Sequence, residues 1–299
     1  MQNFLGKTAV ITGGGSGIGE ALARKAAALG MAVMLADIDL AAAERVAGEL
    51  AGKGARVLAV QADVADAASV AALAEAAWEA FGSVDLLCNN AGVVPSGRYR
   101  PVWEYPLEDW QWSFGVNTMG IVHGLRSFVP RMLEQGTPGH ILNTASVAGL
   151  ISGAGSPVYS AAKHAAVRIT EALYASLIER KAPIGVTLLC PGLVATAIYH
   201  SERNRPAALT PAAGIAEETA ELQAVADNLY KNALSADAVA EQSFAAIRDN
   251  RLYVLTSDQF DATIRERADA VLARRNPSFE SLLALSKGDV EAQGRDRPA

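Results

Sequence analysis

The sequence predicts an α/β protein: a Rossmann-like, doubly wound parallel sheet with helices on both faces. Three observations carry that prediction. Short β-branched runs alternate with longer stretches of helical apolar spacing along most of the chain. The first such run is followed by a glycine-rich turn, GGGSGIG, that opens a helix. Polar and glycine clusters recur where strand-like runs end, which is where open parallel sheets bind ligands.

Composition narrows the class. At 299 residues, 51% hydrophobic and 19% charged, the chain can bury a large core and is not a disordered polymer. Its net charge of −6 argues against nucleic acid or an anionic membrane as partner. No apolar run reaches the roughly 18 residues that a membrane-spanning helix needs. The N-terminal stretch lacks the layout of a secretory signal. Cys88 and Cys190 both sit in apolar, strand-like runs. Buried free thiols suit a reducing compartment, so a cytoplasmic protein is expected.

Residues 7–12 (KTAVIT) read as the first strand, and helical spacing then links Ile18, Leu22, Ala26 and Leu29 up to Gly30, a C-cap glycine. Within the turn, Gly13 permits the bend, Gly17 lets backbone amides approach a pyrophosphate, and Gly19 allows close helix–strand packing. Ser16 and Ile18 belong to the same loop. The helix N-terminus adds a partial positive charge for the phosphates. The second strand, residues 32–37, ends at Asp37, about 20 residues past the loop, where a carboxylate can bond ribose hydroxyls. The alternative is that Asp37 or Asp39 only caps the helix from Leu40.

The alternation continues with a helix over 41–51 and a strand over 56–61 that leads to Asp63 and Val64. A helix over 66–81 is capped by Asp66 and closed by Gly82. A strand at 84–88 runs into NNAG, residues 89–92. Pro106 opens a long helix reaching about Leu133, and a strand at 140–144 ends near Ser146. Ser156 can cap the next helix, with Pro157 at its first position and Pro183 as its stop.

Tyr159 and Lys163, four residues apart, share one face of that helix. A phenol ordinarily holds its proton near pKa 10. A fixed ammonium nearby favours the phenolate, so the pair can exchange a proton with a substrate oxygen. Residues 185–190 form a further strand ending in Pro191–Gly192, and 251–256 a last one. Residues 1–257 thus form one dinucleotide-binding catalytic domain. Within it, 193–235 read as a mobile cover that excludes water from the substrate, or else as a plain surface insertion. Residues 258–299 form a C-terminal extension, an amphipathic helix followed by a polar, disordered tail. His140, His164 and His200 lack ligand-like spacing with a carboxylate or thiol, so no metal is expected.

TGGGSGIG at 12–19, Asp63–Val64, NNAG at 89–92, Asn117, Ser146, YSAAK at 159–163, and Pro191–Gly192 with Thr196 beyond occur in this order. Together they resemble the short-chain dehydrogenase/reductase family, in its compact single-domain branch, over residues 6–256. The resemblance implies that Tyr159 is the acid/base and that Ser146 holds the substrate oxygen. It implies that Lys163 binds the nicotinamide ribose, and that Asn117 organises a water between Lys163 and solvent. Asp63 and Val64 would contact adenine, Asn90, Ala91 and Gly92 would line the cofactor cleft, and Pro191, Gly192, Val194 and Thr196 would hold the nicotinamide end. A carboxylate at Asp37, followed by Ile38 where NADP-using relatives often carry a basic residue, favours NAD over NADP.

The family's usual tetramer does not carry over directly, because the extension adds a helix beside one of its interfaces. The long, Ala-rich helices from Pro106 and Pro157 favour a homodimer or homotetramer. Beside the motifs stand Val93, Val94, Val147, Leu150, Ile151, Leu193 and Tyr199, an apolar surround in which a charged substrate would be desolvated at cost. Apolar substrate surface gains roughly 25 cal/mol per Å² there. The region also broadly resembles family members that oxidise bulky aromatic alcohols. The expected substrate is a hydrophobic, aryl-bearing secondary alcohol and its ketone. Two rivals remain. One is a 3-oxoacyl-thioester reductase using NADPH, for which Arg203 and Arg205 are the basic candidates in the cover. The other is a non-catalytic dinucleotide sensor, which would lack the Ser146, Tyr159 and Lys163 found here.

Overall fold

The computed structural model describes residues 1–95, 101–151, 156–212 and 233–277. β1 (Thr8–Thr12) leads through the glycine turn into α1 (Gly17–Ala28) and β2 (Ala32–Asp37). Next come α2 (Leu40–Ala51), β3 (Val57–Gln61), α3 (Ala67–Phe81) and β4 (Leu86–Asn89). The second half runs through α4 (Leu107–Phe114), a π-helical turn (Gly115–Met119), α5 (Gly120–Gln135) and β5 (Gly139–Thr144). Then follow α6 (Pro157–Glu179), β6 (Ile184–Cys190), β7 (Val194–Ala195) and β8 (Leu234–Ser235). The described chain closes with α7 (Ala236–Asp249), β9 (Tyr253–Leu255) and α8 (Asp261–Ala273).

Seven strands pair in parallel in the order β3-β2-β1-β4-β5-β6-β9. Period-two alternation divides each strand between two cores. Ile11 and Leu35 pack with Leu22 of α1, Val46 of α2 and Phe244 of α7. Val10 and Met34 pack on the opposite face with Leu73 of α3, Phe128 of α5 and Leu177 of α6. This single domain is therefore doubly wound. The strand order reverses between β1 and β4, which opens a crevice at their carboxyl ends. Among the described residues, no helix is long and apolar enough to cross a membrane.

Several local expectations change. Most strand ends move by a residue or two, as hydrogen-bond-defined boundaries commonly do. The long helix from Pro106 is not continuous: the π-turn interrupts it, and α5 ends only at Gln135, where Gly136 takes φ +66°. Ser156 stands at the N-cap of α6 but makes no side-chain capping bond, and α6 stops at Glu179, ahead of Pro183. The two-residue pair β7–β8 is too short to leave a periodic signal.

The expected cover divides. Residues 213–232, like the tail beyond 277, lie outside the described residues. The described part is fastened. The Arg205 side chain, 3% exposed, bonds Asp109 of α4 at 2.7 Å and Glu202 at 2.6 Å. Its guanidinium also stacks over the Trp112 ring at 4.2 Å.

Candidate active site

A cavity of about 600 Å³ opens at the carboxyl ends of the central strands. Of the residues expected at the cofactor, Gly13, Ser16, Gly17, Ile18, Asp37, Asp63, Val64, Asn90, Ala91, Gly92, Pro191, Gly192, Val194 and Thr196 line it. Gly19 does not, because it packs against the Gly13 carbonyl so closely that a Cβ would overlap it. Gly17 takes φ +53°, and a side chain there would press on Thr196 across the crevice.

Local hydrogen bonds set this half of the site. The Gly15 amide donates to Asp37 Oδ2 at 2.9 Å, so the glycine turn itself orients that carboxylate. Asp39, not Asp37, caps α2, accepting from the Ala42 amide at 3.1 Å. Arg45 donates to the Gly15 carbonyl and is already paired with Glu20 and Glu49. The Asp63 carboxylate accepts from the Ala65 amide. Thr12 Oγ1 accepts from the Asn90 and Ala91 amides, which bends the chain after β4 toward the cavity. Asn89 instead turns into the core and donates to Asn143.

Ser146, Tyr159 and Lys163 meet in the same cavity. Lys163, 2% exposed, donates from Nζ to the Thr144 carbonyl at 2.9 Å and lies 5.6 Å from the centre of the Tyr159 ring. Ser146 Oγ accepts from the Ala148 amide at 3.1 Å. Desolvation governs both titrating groups. Burial pushes the Tyr159 phenol above its ordinary value, the nearby Tyr199 adds to this, and a hydrogen bond with Ser146 opposes it. Burial pulls the Lys163 ammonium down to about 8. The expected lowering of the phenol pKa by Lys163 is therefore not found in the protein alone. Asn117 lies apart from the cavity lining, fully buried in the π-turn.

Of the residues expected around the substrate, Val93, Val94, Val147, Ile151, Leu193 and Tyr199 line the cavity. Leu150 does not; it packs with Ala166, Val167 and Leu188. Sequence reasoning missed Gln111 and Trp112 of α4, Leu209 and Phe260. Phe260 comes from the start of the extension, and its ring would meet a Cβ at Gly192 at 3.2 Å. No local signal marks these residues, because each reaches the cavity from an element distant in sequence. His140 is buried in the core against Thr187 Oγ1 at 2.8 Å, and His164 contacts the Gly149 carbonyl at 2.7 Å.

A parallel sheet with a glycine turn, a carboxylate at the end of β2 and a Ser–Tyr–Lys cluster around one cavity defines a nicotinamide-nucleotide oxidoreductase. The family model for short chain dehydrogenases matches residues 7–207, and the chain belongs to the short-chain dehydrogenase/reductase family. It is 38% identical over 280 residues to the CLA biosynthesis dehydrogenase/reductase of Lactiplantibacillus plantarum, covering 93% of this chain and 97% of that one. It is likewise 38% identical over 266 residues to the 1-deoxy-11-beta-hydroxypentalenate dehydrogenase of Streptomyces exfoliatus, covering 89% and 88%. Among solved structures it resembles a short chain dehydrogenase/reductase from Burkholderia phymatum in complex with NAD. That match has a TM-score of 0.86 and 46% identity, over 93% of this chain and 98% of that one.

Proposed function

We propose that the protein is an NAD-dependent oxidoreductase that interconverts a hydrophobic, aryl-bearing secondary alcohol and its ketone. One observation carries the reading. Ser146, Tyr159 and Lys163 border the same cavity as the glycine-turn cradle, and the remaining wall there is largely apolar. The residues fit a dinucleotide: side chains at Gly13 and Gly17 would crowd the cavity lining at Ala91 and Thr196, and Asp37 stands at the end of β2 to meet ribose hydroxyls. Arg45, engaged by two glutamates, does not offer its charge to a 2′-phosphate.

In the oxidation direction, Ser146 and Tyr159 hold the substrate hydroxyl between them. Tyr159, as phenolate, takes the hydroxyl proton as the carbinol hydrogen departs with its electron pair. A bound nicotinamide nucleotide would supply the hydride acceptor for oxidation and the hydride donor for reduction. Lys163 would hold the ribose. Trp112, Val93, Val94 and Leu193 exclude water and receive the apolar body of the substrate. A relative named as a 1-deoxy-11-beta-hydroxypentalenate dehydrogenase supports an alcohol as the substrate. Of the two basic candidates for the thioester-reductase alternative, Arg205 is neutralised by Asp109 and Glu202.

The chain is also proposed to work in a reducing compartment, with Cys88 and Cys190 as free buried thiols. It is proposed to work as a homodimer or homotetramer formed through α4–α5 and α6, which light scattering would test. Initial rates over a matched panel of carbinols, with NAD and with NADP, test the main reading. A higher kcat/KM for a sugar or a short hydroxy acid than for any aryl carbinol would refute it.

A further inference from the structure

Two arginines two residues apart behave differently, and the contrast points to the far end of the substrate. Arg205 is buried between Asp109 and Glu202. Arg203 is exposed at the rim of the cavity and, among the described residues, pairs with no carboxylate. Its Nη1 donates to the Ala197 carbonyl at 3.2 Å and the His200 carbonyl at 2.6 Å, which leaves Nε and Nη2 for a ligand. Two main-chain tethers fix the guanidinium before anything binds, and a planar fork suits a carboxylate.

Among the described residues lining the cavity, Arg203 and Lys163 are the only Lys or Arg side chains. Lys163 is taken up by Thr144 and Tyr159. The lining carboxylates Asp37, Asp39 and Asp63 stand at the ends of β2 and β3, across β1 from the catalytic residues. Val93, Val94, Trp112 and Leu209 make the wall on the catalytic side apolar. An anionic group beside the carbinol carbon would be desolvated there at cost. One held at the rim keeps part of its water. We propose that Arg203 binds a carboxylate carried at the end of the substrate remote from its carbinol carbon. This rests on the alcohol-oxidising reading of the same cavity.

The test compares an aryl alkyl carbinol bearing a para-carboxylate with its methyl ester, in the wild type, Arg203→Gln and Arg203→Lys. The expected wild-type preference in kcat/KM for the carboxylate is about tenfold, as befits one charge-assisted bond at a solvated rim. The ratio should fall to near one in Arg203→Gln and be partly kept in Arg203→Lys. A wild-type ratio near one, or a ratio untouched by Arg203→Gln, overturns the proposal. So does a loss of NAD affinity, read by fluorescence titration, with the ratio unchanged; that would assign the guanidinium to the cofactor diphosphate. Calorimetry of the matching keto acid and keto ester on the NAD-loaded protein separates the two readings. Arg203-dependent preference for the keto acid without carbinol turnover sinks the alcohol reading alone, and turnover without that preference sinks the carboxylate site alone.

Discussion

The Asn117 side chain and the Val93 backbone are joined by two hydrogen bonds. The Val93 amide donates to Asn117 Oδ1 at 3.1 Å, and Asn117 Nδ2 donates to the Val93 carbonyl at 2.8 Å. Nδ2 also donates to the Ser113 carbonyl one helical turn back, at 3.0 Å. The π-turn thereby holds the segment after β4, and its Thr118 hydroxyl donates to the Ala162 carbonyl of α6 at 3.0 Å. A Cβ on Gly92 would come within 2.9 Å of Asn117 Oδ1 and 3.3 Å of Lys163 Nζ, so glycine lets the three approach.

Asn117 is accordingly a positioning residue, and Asn117→Ala should leave two buried backbone groups unpaired. Each such group costs about 1–3 kcal/mol. Urea unfolding should show a loss of about 2–6 kcal/mol for the two groups together, with kcat reduced in the protein that remains folded. Unchanged stability would mean that water or a relaxed loop replaces the amide.

Tyr159→Phe should lower kcat by at least about 10²-fold, the lower end for general acid–base catalysis. Burial raises the phenol above its ordinary value. Oxidation needs the phenolate, so its rate should climb as pH rises through the neutral and alkaline range, while ketone reduction, which needs the neutral phenol, should not. A folded Tyr159→Phe protein with near-normal turnover would remove Tyr159 from the chemistry.

Asp37 should set the choice of cofactor. The wild type should show a higher kcat/KM with NAD than with NADP, and Asp37→Ala should narrow that gap by removing the charge that repels a 2′-phosphate. Because Asp37 also accepts from the Gly15 amide, Asp37→Asn serves as the control that keeps an acceptor without the charge. Equal or better use of NADP by the wild type would contradict the assignment.

His140 should make the fold acid-sensitive. Burial pulls its pKa down to about 3 from an ordinary value of 6.5. The folded state therefore binds fewer protons than the unfolded chain between those values. The stability tied to the neutral ring is fully present above about pH 6.5 and is lost as pH falls toward 3. The slope approaches about 1.4 kcal/mol per pH unit for one proton. Chemical unfolding of wild type and His140→Gln at pH 7 and pH 5 should converge at the lower pH. Parallel pH dependence in the two proteins would place the acid sensitivity elsewhere.

The sequence by itself determined the layered sheet, since period-two and period-3.6 patterns report which side of each element meets a core. It also determined the glycine turn, Asp37 at the end of β2 and the Tyr159–Lys163 pair, because each depends on local backbone geometry or on spacing along one helix. Tertiary structure alone decided what arrives from elsewhere in the chain. Trp112 and Phe260 enter the cavity from α4 and the start of the extension, while Leu150, adjacent in sequence to the expected pocket, turns into the core. The π-turn at Asn117 exists in the company of Val93, more than twenty residues away. Arg203 and Arg205 are the same residue type in the same stretch, and only the carboxylates of Asp109 and Glu202 make one a buried clasp and leave the other at the rim. Charge pairing and burial are properties of neighbours in space, and sequence spacing does not encode them.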